Sequence, residues 1–355
     1  MKVCYINFNI DNPRDRITLQ GLKMNGVEVV EIVDKTPGWN KYINIARTFS
    51  SVQDKCDIVM VGYAGSVLVI FLRLIMWRKI IIYNALATFY DSMIVSRFGG
   101  NVFNIKALWY YLVDFVAFRC ADLTFIECQA QKDLIVRVFK IKPEKMLVHF
   151  VGTDEKEFYF DKSIPKRKQF TVVFRGMFLP EAGADVVVRI AKELEKDNIY
   201  FIIIGRGLLH NQIENLVTEL KPTNLELITA FIPTEELRVK MLECHISLGQ
   251  LADHPRVQTT IPHKVFESMA MRLPYLTGRN KGVMEILKDD ETCFTASPGD
   301  YKTLATKIRE LRDNPEKLDK VAQNGYELYK REYTPEILAR KIMDELAQRS
   351  IGKSA

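Results

Sequence analysis

A rhythm recurs along this chain: a short apolar run of strand length, a turn rich in glycine or polar residues, then a segment whose apolar residues return every three or four positions. Few architectures satisfy it, because parallel strands need crossovers of a dozen or more residues, and the helices that supply them cover both faces of the sheet. Lys2–Phe8 is the first such run. A polar turn follows, then a helix-period segment, Ile17 to Asn25, with Leu19 and Leu22 directed inward; Gly26 ends it before a second strand, Val27–Val33. Asp57–Gly62, Lys79–Tyr83 and Leu123–Glu127 continue the series, and Met146–Phe158 closes it as a strand and turn. A second series contains Phe170–Phe174, Ile199–Gly205, Leu225–Ala230, His245–Leu248 and Tyr275–Thr277.

A chain of 355 residues exceeds what one hydrophobic core usually supports, in keeping with two such halves. The basic stretch Asp161–Gln169, with Pro165 inside it, is the natural joint. The expected division is 1–162, 163–333 and a terminal helix in 334–355, which Thr334 caps and Pro335 opens. A net charge of +6 is too small to indicate nucleic acid, and it suits anionic ligands or an anionic membrane face. The six cysteines show neither C-x-x-C nor zinc-like spacing, so reduced thiols, a cytoplasmic location and no metal are expected; Met1 to Asn7 reads directly as a strand, so no signal peptide is expected.

In open parallel sheets, ligands sit beyond the carboxyl ends of the strands, and three turns of the second half carry suitable chemistry there. Arg175 and Gly176 follow one strand, and Gly205, Arg206 and Gly207 follow the next. Pro262, His263 and Lys264 open a helix in which Lys264 and Glu267 lie three apart on one face. Glycine lets backbone approach a phosphate, arginine and lysine neutralise it, and a carboxylate one turn on accepts hydrogen bonds from a sugar hydroxyl. Each turn alone is ordinary. Their recurrence at successive strand ends points to an anionic ligand between the domains.

Two intervals of the first half, Ser66–Trp77 and Ala107–Phe118, are almost wholly apolar yet too short to cross a bilayer, which takes about 20 residues. Burial against the sheet accounts for most of their side chains. Arg73, Arg78, Lys79, Arg97 and Lys106 lie near them beside Trp77, Trp109, Tyr110 and Tyr111, opposed by Asp91, so peripheral contact with anionic lipid is the sharper expectation.

The motifs F-R-G-M-F-L-P-E-A-G (Phe174–Gly183), F-I-I-I-G-R-G (Phe201–Gly207), F-I-P-T-E-E-L (Phe231–Leu237) and I-P-H-K-V-F-E-S-M-A (Ile261–Ala270) resemble those of the retaining glycosyltransferases of family four, group 1. L-P-Y-L-T-G (Leu273–Gly278) and E-I-L from Glu285 extend the likeness; N-P-R (Asn12–Arg14), Tyr90 with Asp91, and V-G-T-D (Val151–Asp154) extend it more faintly into the first half. The resemblance implies an α/β, GT-B fold: two Rossmann-like, doubly wound parallel-sheet domains facing across a cleft, with the last helix returning to the first domain. It further implies a metal-independent enzyme without cofactor. A nucleoside diphosphate sugar would serve as donor and a glycan or lipid-linked molecule as acceptor, as in polysaccharide or lipopolysaccharide assembly. Glu267 matches the second carboxylate of the family's paired-glutamate motif, which holds the donor ribose. Arg175 matches the arginine on the diphosphate, and Lys264 belongs to a P-x-K variant reaching the same phosphates. Asp91 would lie near the acceptor hydroxyl. Arg14, Gly176, Gly205, Arg206, Phe231, Ile232, Pro233, Thr259, Pro262 and His263 would line the substrates, with Gly205 and the 231–233 turn bordering the base.

The departures are specific. Thr259 stands where the first carboxylate of the motif belongs, Ala182 replaces a lysine, Asn84 replaces an acid, and no histidine precedes His149. They suit a subfamily built on the P-x-K arrangement; they also suit a non-catalytic homologue that binds sugar nucleotide or scaffolds an active transferase.

Overall fold

The computed structural model describes residues 1–98 and 104–351. Its first unit is Met1–Gly152 together with the chain from Glu332 onward; the second is Thr153–Arg331. In the first unit the order is β1 (Lys2–Asn7), α1 (Pro13–Met24), β2 (Glu28–Val33), α2 (Asn40–Val52), β3 (Ile58–Val61), α3 (Ser66–Ile75) and β4 (Ile80–Leu86). A π-turn (Asp91–Val95) and the single-turn α4 (Ser96–Phe98) lead to α5 (Ile105–Cys120), β5 (Leu123–Ile126), α6 (Gln129–Phe139) and β6 (Met146–Val148). All pairings are parallel, in the order β2-β1-β3-β4-β5-β6.

Strands such as β3, I-V-M-V, are buried at every residue because helices cover both faces of the sheet, so the sequence reads as continuous apolar rather than alternating. Asn12 caps α1 by accepting from the Arg14 amide, and Pro13 occupies the first helical position. The terminal helix, numbered α13 below (Pro335–Ile351), packs on α1 and belongs to this unit. At their crossing a Cβ on Gly21 would stand 2.1 Å from the Pro335 carbonyl oxygen, so only glycine lets the two backbones approach this closely.

The second unit contains β7 (Phe170–Arg175), α7 (Ala184–Glu193), β8 (Ile199–Ile204), α8 (His210–Leu220), β9 (Leu225–Ile228), α9 (Thr234–Leu242) and β10 (Ile246–Leu248). It continues through α10 (Lys264–Ala270), β11 (Tyr275–Gly278), β12 (Phe294–Ala296), α11 (Tyr301–Arg312) and α12 (Pro315–Glu332), with parallel strands in the order β12-β11-β10-β7-β8-β9. The strand β12, only three residues long, is absent from the sequence reading. The expected junction at 162/163 lies beyond the observed one at Gly152/Thr153, because Phe158 is buried among Val173, Ile202 and Met241 of the second unit.

The two apolar intervals form α3 and α5, which pack on each other. Burial is incomplete. Ile105, Leu108, Trp109, Leu112 and Val116 form an exposed stripe along α5, and Leu74, Ile75 and Trp77 stand bare at the end of α3. The basic cluster is smaller than its sequence suggests. Arg73 pairs with Asp122 at 2.6 Å and donates to the Cys120 carbonyl, and Lys79 donates to the Gln53 and Cys56 carbonyls. Arg78, Arg97 and Lys106 remain exposed, Arg78 lying 4.5 Å from the Trp77 ring centre. No helix among the described residues is long and apolar enough to cross a membrane.

Candidate active site

In the second sheet the strand order reverses between β7 and β10, which opens a crevice beyond their carboxyl ends. Arg175 is the last residue of β7, and Gly249 follows β10. Across the crevice, α10 presents Lys264 and Glu267, and every residue of this short helix is buried. Arg175 Nη1 donates to Glu267 Oε2 at 2.7 Å; the Glu267 side chain is 7% exposed and that of Arg175 26%, so the arginine keeps the open side of the pair. Lys264 Nζ donates to the Gly249 carbonyl at 3.2 Å and lies 4.0 Å from the Phe174 ring centre.

Lys264 is only 7% exposed. Burial, reinforced by the Arg175 charge and opposed by Glu267, pulls its pKa down to about 7. A lysine so held is poised to take up a proton when an anion arrives. The glycines make room for it: a Cβ on Gly176 would sit 3.4 Å from Lys264 Nζ, and one on Gly205 would lie 1.9 Å from the Gly176 oxygen. Arg175, Gly176, Gly205, Lys264 and Glu267 thus form one cluster.

The remaining second-unit candidates surround it. Arg206 is exposed after β8, and its carbonyl accepts from the Phe178 amide. Beyond β9, Phe231 is 91% exposed, Ile232 packs on the core beneath and Pro233 leads into α9. An aromatic ring so bare at a strand end has a face available for stacking. Pro262 and His263 precede α10, and their carbonyls accept from the Val265 and Glu267 amides. Thr259 ends a 3-10 turn, its hydroxyl donating to the Arg256 carbonyl at 3.3 Å. Ala182 is buried, and its carbonyl receives the Leu251 amide. Beside it Glu181, which sequence reasoning passed over, forms a buried ion pair with Arg256 at 3.2 Å. Its place in the quoted P-E-A-G motif was the available signal, but the arginine 75 positions on was not.

Arg14 and Asp91 belong to the first unit and to separate networks. Arg14 is fully buried, donating from Nε to Asn84 at 2.6 Å and from Nη1 to the His149 carbonyl at 2.9 Å, so it braces strand ends instead of facing solvent. Burial lowers its pKa to about 10, against the attraction of Glu127, and burial together with Arg14 keeps His149 well below the usual histidine range. Asp91 opens the π-turn, and its amide donates to Thr88 Oγ1. Behind it Asp114 accepts from the Tyr90 amide and Ser66; burial pushes its carboxyl up to about 7, with the Asp91 charge adding to the shift.

Residues 155–328 match the family model described as Glycosyl transferases group 1. The second unit is a group 1 glycosyl transferase domain. Group 1 relatives include the alpha-D-kanosaminyltransferase of Streptomyces kanamyceticus, 26% identical over 165 residues, covering 46% of this chain and 42% of that one. The lipopolysaccharide core biosynthesis glycosyltransferase LpsD of Rhizobium meliloti is 24% identical over 191 residues, covering 52% and 51%. The chain thus spans about half the length of the curated relatives it matches. Over 98% of its length it also superimposes on all of Anabaena HepE, solved in complex with UDP-glucose, with a TM-score of 0.75 at 14% identity. That likeness establishes the fold, and the GT-B architecture of group 1 glycosyl transferases, expected from the motifs, is the one observed.

Proposed function

We propose that this chain is a retaining glycosyltransferase that moves a sugar from a nucleoside diphosphate sugar to a hydroxyl of a glycan or lipid-linked acceptor, without a metal. The observation that carries the reading is the pairing of Arg175 with Glu267 beside a buried Lys264 at the strand-order reversal of the second unit. Two cations there suit a diphosphate, and the Glu267 carboxylate suits ribose hydroxyls. The relatives act in glycosyl transfer, and HepE holds UDP-glucose, which makes a UDP-sugar the first donor to try.

In the proposed reaction the bond from the anomeric carbon to the phosphate oxygen breaks, and the electron pair leaves with the diphosphate. Arg175 and Lys264 stabilise that growing charge. The acceptor oxygen bonds the anomeric carbon on the same face and passes its proton to the departing phosphate. Asp91, on the first unit, orients the acceptor hydroxyl.

Calorimetric titration with UDP-, GDP- and ADP-sugars, followed by hydrolysis and transfer assays, tests this. Saturable binding of one class with turnover is expected; binding of none contradicts it. Thr259, whose hydroxyl donates to the Arg256 carbonyl where the family's first carboxylate would stand, favours a second reading as a non-catalytic sugar-nucleotide-binding partner. Tight binding without hydrolysis or transfer would select it.

The bare stripe on α5, with Arg78, Arg97 and Lys106 nearby, supports a peripheral seat on an anionic membrane face. Vesicle flotation should recover the protein with anionic lipid and less of it with neutral lipid, and Trp109→Ser with Leu112→Ser should abolish the difference. Equal recovery on both lipids sinks the idea.

A further inference from the structure

The first unit contains a cavity of about 480 Å³ between the π-turn, the start of α5 and the outer part of α6, within the ~300–1,000 Å³ range of small-molecule sites. Its helical walls are largely apolar, formed by Ala107, Leu108, Leu134, Ile135, Val138 and Phe139, and the hydroxyl of Tyr111 among them donates to the Val138 carbonyl at 3.3 Å. Polar groups enter it from the turn after β4, where Thr88 and Asp91 stand, and from Asn104. Leu108 and Val138 are 51% and 40% exposed while lining the cavity, and Leu108 also belongs to the α5 stripe. The interior is therefore continuous with the bare apolar surface, beside the exposed Arg97 and Lys106.

We propose that this cavity holds the hydrocarbon tail of a lipid-borne acceptor whose hydroxyl reaches Asp91. This deepens the transferase reading and rests on it: it makes the acceptor an amphiphile drawn from the membrane rather than a free glycan. Apolar walls exclude a sugar, whose hydroxyls would lose their hydrogen bonds there. A carboxylate at the polar end accepts from a hydroxyl and repels a phosphate, so the head group next to the tail is uncharged. The continuous apolar path lets a chain pass from bilayer to cavity without meeting water, and the exposed Arg97 and Lys106 suit an anionic lipid surface.

The test is photolabelling of the full chain with diazirine-tagged dodecanol, presented in phosphatidylcholine vesicles and, separately, free below micellar concentration. Labelled residues are mapped by mass spectrometry, and UDP-sugar binding is measured in the same samples. Label on α6 and on the inward residues of α5 is expected in both presentations. Untagged dodecanol should displace it and dodecyl phosphate should compete about tenfold less well, the discrimination of one buried polar contact. Ala107→Trp, which fills the interior, and the milder Val138→Trp at its mouth should each remove most of the label, circular dichroism reporting that they fold. Label confined to the outer stripe of α5, or equal competition by the phosphate, overturns the assignment; label only from vesicles does so too, reducing it to surface contact. Donor binding without cavity label overturns this inference alone. Cavity label without donor binding overturns the transferase reading and, with it, the acceptor role.

Discussion

Lys264→Met lowers kcat/KM for donor by about 10²–10³-fold, the usual cost of removing one preorganised group from a developing negative charge. The same change leaves the fold intact and makes it more stable near neutrality. The reason is the depressed pKa: about 7 in the folded protein, against about 10.4 for a lysine in an unfolded chain. Between those values the unfolded chain binds the extra proton, so wild-type stability rises with pH over that window, and below about 7 the cost of a buried charge is present in full. Methionine removes the cost at every pH. Thermal melts at pH 6 and pH 9 should therefore differ less for the variant than for the wild type. Donor binding follows the opposite course: the anion raises the lysine pKa, a proton is taken up on binding, and affinity declines as pH climbs above 7. Calorimetry in two buffers of different ionisation enthalpy reads that proton; identical heats would contradict the role given to Lys264.

Glu267→Gln acts through recognition. Its carboxylate holds Arg175 at 2.7 Å, and in the proposed complex it accepts from ribose hydroxyls. Hydrogen bonds to a charged acceptor are worth about 1.5–3 kcal/mol each, so donor affinity should fall roughly 10- to 100-fold. A 2′-deoxy donor should bind the wild type more weakly than the ribo form, while the variant should no longer tell them apart. If discrimination between the two sugars survives in Glu267→Gln, the carboxylate does not face the ribose. Loss of the pair also frees the Arg175 guanidinium, so the variant should keep some affinity for inorganic pyrophosphate.

Much of this cluster is legible in the sequence. Arg175, Gly176 and Gly205 read as strand-end residues and Lys264 with Glu267 as one face of a Pro-opened helix, and parallel pairing carries strand ends to one edge of the sheet. The reversal of strand order that brings β7 beside β10 was not legible, because it depends on pairings between segments far apart in sequence. Burial was the other blind spot. The spacing that puts Lys264 and Glu267 on one helix face does not show whether that face is wet, and α10 has no exposed face. Arg14 reads as a loop cation and proves fully buried, since its partners, Asn84 and His149, lie 70 and 135 positions away. Arg73 reads as a surface cation for the same reason, its partner Asp122 lying 49 residues on. The apolar α5 hid its bare stripe because a helix apolar all round carries no phase to show which side faces the core.

In the proposed complex Arg175, Lys264 and Glu267 together bind a nucleoside diphosphate. Titration of the wild type and of the combined Arg175→Gln, Lys264→Met, Glu267→Gln variant with uridine diphosphate, or with whichever nucleoside diphosphate the wild type prefers, tests this. Saturable binding by the wild type and none by the variant is the expected result. Equal affinity in the two proteins would contradict the account.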